Sequence, residues 1–429
     1  MKLNILVLHN LGDPLRWRQS MYEKELCLPN FAPDHNYLVH DFELPLPSYI
    51  TDIHFDAIIL TQTFLSKRQD PGFRQRLNEV YAFIGSMQCF KIALPQDDYT
   101  CSGILDRLLN DWKVDLVYPV CVNDWDILYP TFSKLGRMKQ GFTGYISNEM
   151  IEQTNSHRPL VDRSIDVAYR AAKLPPVFGR LGQIKTEYGD SFLKASEGLP
   201  LKIDVSTRSQ DAILGLYWYD FIESSRCMLG VNSGSSILDP EGIINQKVFS
   251  YLQLYPKATF EEVEAACFPD QEGKYEFTAI SPRNLECALF GTVQILAPGS
   301  YGGFMQRGEE YISLEPDMSN FSDIVPLITN HSYLKTIADR CREAILSFPE
   351  LRYSYHNKDL IREIKSHTKL NDAIRLKSVH LIRRHQKEMI KIASAYWRKQ
   401  RIVTKVRKAL GDIGLRRFKY WIKHLKAKN

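Results

Sequence analysis

Long apolar runs are missing from this 429-residue chain. No stretch approaches the roughly 18–20 residues that cross a bilayer, which excludes a helical membrane span. The opening Met1-Lys2-Leu3-Asn4-Ile5-Leu6-Val7-Leu8 stops at His9-Asn10, too soon for the apolar core of a signal peptide. Cysteine is scarce: eight residues, at 27, 89, 101, 121, 227, 267, 287 and 341, with no C-x-x-C pair and no Cys/His cluster at zinc spacing. That excludes a disulfide scaffold, argues against a structural metal and points to a reducing, cytosolic compartment. Internal repeats are absent as well.

What is present is a globular composition, 44% hydrophobic and 24% charged, over a length that suits two or three domains. The formal charge of +5 hides a split. Residues 369–429 hold 19 Lys and Arg against three acids (Asp372, Glu388, Asp412), a balance of +16. The preceding residues hold 36 basic and 47 acidic groups, a balance of −11. An acidic body therefore carries a basic arm, and the arm's complement is a polyanion, either a membrane surface or nucleic acid.

The body reads as two α/β halves. In the first, apolar strands at 3–8, 56–61, 90–95 and 114–118 alternate with helical stretches at 14–26, 71–87 and 102–112. In the second, strands at 165–169, 201–205, 227–231 and 292–296 alternate with helices near 181–197, 210–224, 242–253 and 282–290. Strands that are nearly continuous apolar runs, separated by helices, predict parallel sheets covered on both faces. The polar junction at 150–164 divides the chain into domains 1–160 and 161–366, with the arm at 367–429. The fold class is α/β: two Rossmann-like doubly wound domains facing a cleft between their strand C-terminal edges.

Chemistry concentrates in Ile280–Thr292. Ser281 suits an N-cap, Pro282 the first helical position and Gly291 the left-handed residue after the last turn. The helix start offers free N–H groups and a positive dipole end to an anion, with Arg283 beside it. Glu286, one turn on, has the reach to accept from the vicinal hydroxyls of a ribose; the plain alternative is a capped surface helix with a solvated Glu. Ser233-Gly234-Ser235-Ser236 is a small-residue loop whose N–H groups, Ser235 included, could line a phosphate. In the first half, strand 90–95 runs into Asp97 and Asp98, at the sheet edge where a general base would meet an acceptor hydroxyl. Adjacent side chains diverge, so one of the two enters the cleft, with slight preference for Asp98. His9 and Asn10 end the first strand at the same edge. Tyr217, Trp218 and Tyr219 fall in a helical stretch and read as core.

Glu286-Cys287-Ala288-Leu289-Phe290-Gly291-Thr292 resembles the E-x-x-x-x-G-[TS] element of GT-B glycosyltransferases. Residues 1–365 are compatible with that family, most closely with bacterial family-1/family-4-like enzymes and the spore-maturation glycosyltransferase-like group. The resemblance implies an N-terminal acceptor domain and a C-terminal nucleotide-sugar domain, with Glu286 on the donor ribose. It implies cations, Arg170 and Lys173 ahead of Arg180, on the donor diphosphate, and so no metal and no cofactor beyond the donor itself. Many family-4 members carry a Glu eight residues before the ribose Glu; here that position is Thr278, with Glu276 nearby.

The expected function is hexosyl transfer from a nucleotide diphosphate sugar to a hydroxyl of a glycan or lipid-linked acceptor, in polysaccharide or cell-envelope biosynthesis. A non-catalytic protein of the same fold that binds a sugar nucleotide or glycan is the first rival. A nucleic-acid-binding protein is the second. It has no RNA-binding or helix-turn-helix signature behind it and an acidic body against it, so no nucleic acid is expected. The arm has no Pro after Asp372, with apolar residues at mostly three- and four-residue steps over 402–425 and basic residues between. It reads as an amphipathic helix for the headgroup layer of an anionic membrane, broken into two short helices at Gly411 and Gly414. The enzyme is then cytoplasmic and peripheral on the inner face of the plasma membrane.

Overall fold

The computed structural model describes residues 1–369 and 371–426. Strand β1 (Asn4–His9) is apolar on both faces. Leu3, Ile5 and Val7 enter one hydrophobic cluster while Leu6 and Leu8 enter another. Such a strand is satisfied only between two covering layers. β2 (Asn36–Asp41), β3 (Ala57–Leu60), β4 (Phe90–Ala93), β5 (Leu116–Val117) and β6 (Arg137–Met138) complete a parallel sheet in the order β2-β1-β3-β4-β5-β6. The order reverses between β1 and β3. Two strands lie where no strand is legible in the sequence. β2 has only Tyr37, Leu38 and Val39 between polar neighbours, and β6 is two residues paired to β5.

The second sheet repeats the plan with β7 (Ile165–Arg170), β8 (Ile203–Ser206) and β9 (Ser225–Gly230). The small-residue segment forms β10 (Ser233–Ser235), paired antiparallel with β11 (Phe277–Ala279). β12 (Val293–Leu296) and β13 (Ile312–Ser313) finish a parallel sheet ordered β13-β12-β9-β7-β8, reversing between β7 and β9. The architecture is thus two doubly wound α/β domains, as expected.

Seven helices position the site: α1 (Gln19–Glu25), α2 (Ser102–Asp111), α3 (Gly179–Ala195), α4 (Tyr217–Glu223), α5 (Pro282–Leu289), α6 (Tyr353–His367) and α7 (Asp372–Lys426). On one side of the cleft an apolar cluster joins both domains, with Ile5 and Tyr145 from the first, Leu285 and Leu289 from α5, and Leu360 and Ile364 from α6. On the other side, Cys101 N donates to Asp239 O (2.7 Å) and Gly103 N to Pro240 O (3.1 Å). Carbonyls of the second domain thereby cap the start of α2, beside a two-bond Arg107–Glu241 ion pair (2.8 and 2.7 Å). These segments follow the C-terminal ends of β4 and β9, so the C-terminal edges of the two sheets face each other.

The chain then returns to the first domain. Asn357 of α6 donates to Cys27 O (2.9 Å), and Asp359 accepts from Tyr118 (2.6 Å) and Lys139 (2.8 Å). α7 is a single helix that passes through Gly411 and Gly414, which corrects the expected break; two glycines cost roughly 1 kcal/mol each against Ala, too little to interrupt so long a helix. Its first half lies along β2. The free-edge carbonyls of Tyr37 and Val39 bond Gln386 (3.0 Å) and His385 (3.3 Å), and Arg375 forks onto the fully buried Asp56 (2.9–3.0 Å). The arm therefore protects the edge strand of the first sheet, a service every open sheet needs.

Candidate active site

Open α/β sheets bind ligands where the strand order reverses, at the strand C-terminal ends. In the first domain that place lies between β1 and β3. His9 ends β1 and is buried. Its Nδ1 accepts from Leu11 N (3.2 Å) and burial lowers its pKa to about 4, so it stands neutral with the proton on Nε2. That makes it a donor rather than the reserve base expected of it. Beside it, Glu25 of α1 accepts from the hydroxyls of Thr61 and Thr63 just after β3. Burial pushes Glu25 up to about 7, against the pull of those hydrogen bonds. Lys24, also buried, is pushed down to about 8 by burial and donates to Gln96 Oε1 (3.2 Å). Two adjacent buried groups with displaced pKa values at a switch point are a functional signal. Neither stands out in the sequence, where they belong to an ordinary amphipathic stretch.

The Asp97–Asp98 pair divides as adjacency requires, but in the opposite sense to the preference for Asp98. Asp98 is fully buried inside the first domain, its Oδ2 held by Val120 N (3.1 Å) and its pKa raised to about 6 by burial. It organises the loop after β5 and has no face on the cleft. Asp97, in the left-handed region at φ 52°, accepts from Tyr99 (2.9 Å) and faces the second domain, where its charge acts on Lys185 of α3.

In the second domain α5 starts and ends near the expected bounds. Ser281 N donates to Asn284 Oδ1 (3.1 Å), and the helix start packs against Gly144, so an added Cβ there would meet Pro282 at 3.0 Å. Glu286 is buried. Its Oε2 accepts from the Trp218 indole of α4 (2.7 Å), and its pKa is pushed up to about 7 by burial, with Glu23 of α1 adding to the rise. Trp218 is thus a partner of Glu286 rather than plain core, and Tyr217 is 76% exposed, against the core reading. Arg283 donates to Arg170 O and lies 5.1 and 5.4 Å from the ring centroids of Tyr169 and Trp218. Lys185, partly buried, is pushed down to about 8 by burial, with Arg283 and Arg18 adding to the fall and Asp97 opposing it.

The other expected donor contacts are placed differently. Arg170 is tied to Asp204 (2.8 Å) and stacked 4.4 Å over Phe221, which turns it toward β8 instead of the cleft. Lys173 sits exposed in the loop after β7. Ser235 is fully buried, bonded through its Oγ to Ile237 O and N (2.9 and 3.1 Å), so its hydroxyl serves the turn. A Cβ on Gly234 would stand 1.8 Å from Phe277 O: the small residues are there so that β10 can approach β11. Arg180 pairs with Glu261 (2.9 Å), and Arg180 N at the start of α3 is already met by Glu272 (3.0 Å).

The cleft therefore brings together Arg283, Lys185, Glu286 and Trp218 from the second domain with Asp97, Glu23 and the Lys24–Glu25 pair from the first. Arg283 and Lys185 on the second-domain wall stand across from Asp97 and Glu23 on the first, while Glu286 and Lys24 place a charge of the other kind on each wall. Among the described residues no cluster of three or more His, Cys, Asp or Glu has metal-binding geometry, and no helix is long and apolar enough to cross a membrane.

No family model matches the sequence, and no curated protein matches it. Among solved structures the chain is similar to HepE of Anabaena in complex with UDP-glucose, at 12% identity and a TM-score of 0.48 over 85% of this chain and 100% of that one. It is similar to a glycosyltransferase from Rickettsia africae at 10% identity and a TM-score of 0.48, over 86% and 100%. Sucrose-phosphate synthase from Thermosynechococcus elongatus is similar at 11% identity and a TM-score of 0.46, over 86% and 100%.

Proposed function

We propose that this protein transfers a sugar from a nucleotide diphosphate sugar to a hydroxyl of a glycan or lipid-linked acceptor. The observation that carries the proposal is the cross-cleft opposition of Arg283 and Lys185, beside Glu286, to Asp97. Departure of a nucleoside diphosphate builds negative charge that fixed cations stabilise. Arg283 and Lys185 supply them, taking the part expected of Arg170 and Lys173. Glu286, oriented by Trp218, accepts from the ribose. Asp97 takes the acceptor proton in place of Asp98. Lys185, with a lowered pKa, is the group across the cleft from that carboxylate. The arm's basic surplus suits an anionic membrane and a peripheral place on its inner face.

One observation favours a non-catalytic sugar-nucleotide or glycan binder: the carboxylate preferred as base, Asp98, is wholly inside the first domain. Mass spectrometry of the sugar nucleotide retained by the purified protein, followed by a turnover assay with that donor, separates the two. Release of nucleoside diphosphate dependent on an added acceptor supports transfer. Tight retention without release supports binding alone, and no affinity for any nucleotide sugar refutes both.

A further inference from the structure

The loop after β1 and the outer face of α7 meet in a way that neither element's role in the fold explains. Arg401 grips Asp13 with two bonds of 2.7 Å, and Trp397 lies against Gly12, where an added Cβ would be 3.7 Å from its ring. Gly12 has φ +74°, and its carbonyl accepts from Trp17 Nε1 (3.1 Å), so the loop is held in one shape against the helix. Between them runs a groove of about 350 Å³ lined by Pro14, Ile390, Ala393, Trp397 and Arg398.

Large apolar side chains stand in solvent around it: Leu15 at 68%, Ile390 at 72% and Ile402 at 48% exposure. The nearby acids are already matched, Asp13 by Arg401, Glu43 by Lys67 and Glu388 by Arg384. Arg16, Lys391, Arg398 and Lys399 are exposed and pair with no carboxylate among the described residues. Exposed apolar residues set among surplus cations fit an interface that is oily and negative together, which is the headgroup layer of an anionic bilayer.

We infer that an anionic membrane docks on this composite face of the 12–17 loop and α7, so that the first-domain side of the cleft opens at the lipid surface. This rests on the peripheral, lipid-linked-acceptor part of the proposed function and deepens it. The contact is not the arm's tail alone. The loop runs straight on into α1, which carries Glu23, Lys24 and Glu25 into the cleft, so a lipid-borne acceptor would enter beside them.

The test is flotation of the full chain with phosphatidylcholine vesicles of increasing phosphatidylglycerol content. It compares the unaltered protein with Leu15→Ser/Ile390→Ser and with Lys391→Ala/Arg398→Ala. All four side chains are exposed, and circular dichroism with calorimetric nucleotide affinity checks that fold and cleft are unchanged. Each cation removed should weaken binding about fivefold at low salt, and the apolar pair should weaken it at high salt as well. Undiminished binding in both variants would assign docking to residues beyond 402 and overturn the inference while leaving the membrane reading in place. Binding indifferent to phosphatidylglycerol, or none, would overturn both. Neither result bears on sugar transfer, which is read by donor binding and turnover.

Discussion

Glu286 offers the sharpest test of the cleft. Glu286→Gln keeps an oxygen for the Trp218 indole and nearly the same volume, so the fold should survive. What it removes is the negative charge that a ribose hydroxyl would donate to. A hydrogen bond to a charged acceptor contributes about 1–3 kcal/mol, so nucleotide affinity should fall by roughly 5- to 150-fold. The protonation state adds a second signature. Burial raises the Glu286 pKa to about 7, so below pH 7 the carboxyl is protonated and must lose its proton to accept from both hydroxyls. Affinity should therefore rise as pH increases from 6 to 8, and the rise should vanish in Glu286→Gln. Trp218→Phe removes a bond that favours the carboxylate and should move the rise to higher pH. Calorimetry with uridine, guanosine and adenosine diphosphates across that range reads all three. Equal affinity in Glu286→Gln, with the same pH profile as the unaltered protein, would take Glu286 off the ribose.

Asp97→Asn should lower turnover by about 10²–10⁴ without changing donor affinity, whereas Asp98→Asn should act on stability; the reverse pattern in steady-state kinetics and urea titration would restore Asp98 as the base. Arg375→Met leaves Asp56 buried beneath α7 without its charge partner and should cost about 3–5 kcal/mol in urea unfolding; a loss below 1 kcal/mol would mean that α7 is a loosely attached tail. His40 is buried with both ring nitrogens unpartnered, its pKa lowered to about 3 by burial, with His385 adding. It is neutral when folded and charges on unfolding. Its contribution is complete above the unfolded value near 6.5 and is lost as pH falls toward 3, about 2 kcal/mol of it by pH 5. His40→Phe should flatten the acid side of the stability profile by that amount, and an unaltered profile would show that the ring is hydrated in the folded protein.

The layer structure follows from apolar patterning along the chain. β1, β3 and β4 are apolar runs too short for helices and too continuous for a half-exposed sheet, so parallel sheets covered on both faces follow without a structure. Ser281, Pro282 and Gly291 likewise mark the ends of α5 through local capping chemistry alone. Local chemistry stops at the question of direction. That one of Asp97 and Asp98 must face away is a property of adjacent residues. Which one does so depends on a left-handed turn at Asp97 and on Val120, which lies on another strand's loop. Arg170 is a cation at the right strand end, yet Asp204 on β8 and Phe221 on α4 claim it. Lys185 is an unremarkable helix residue until the two domains close, because its displaced pKa arises from burial between them, with Arg283 and Arg18 adding and Asp97 opposing. The arm shows the same division. Its charge and helical period are written in the sequence, but its hold on the edge of β2 rests on Asp56, Tyr37 and Val39, more than 300 residues away. Pairings at that separation leave no periodic trace along the chain, so only the packed tertiary structure decides them.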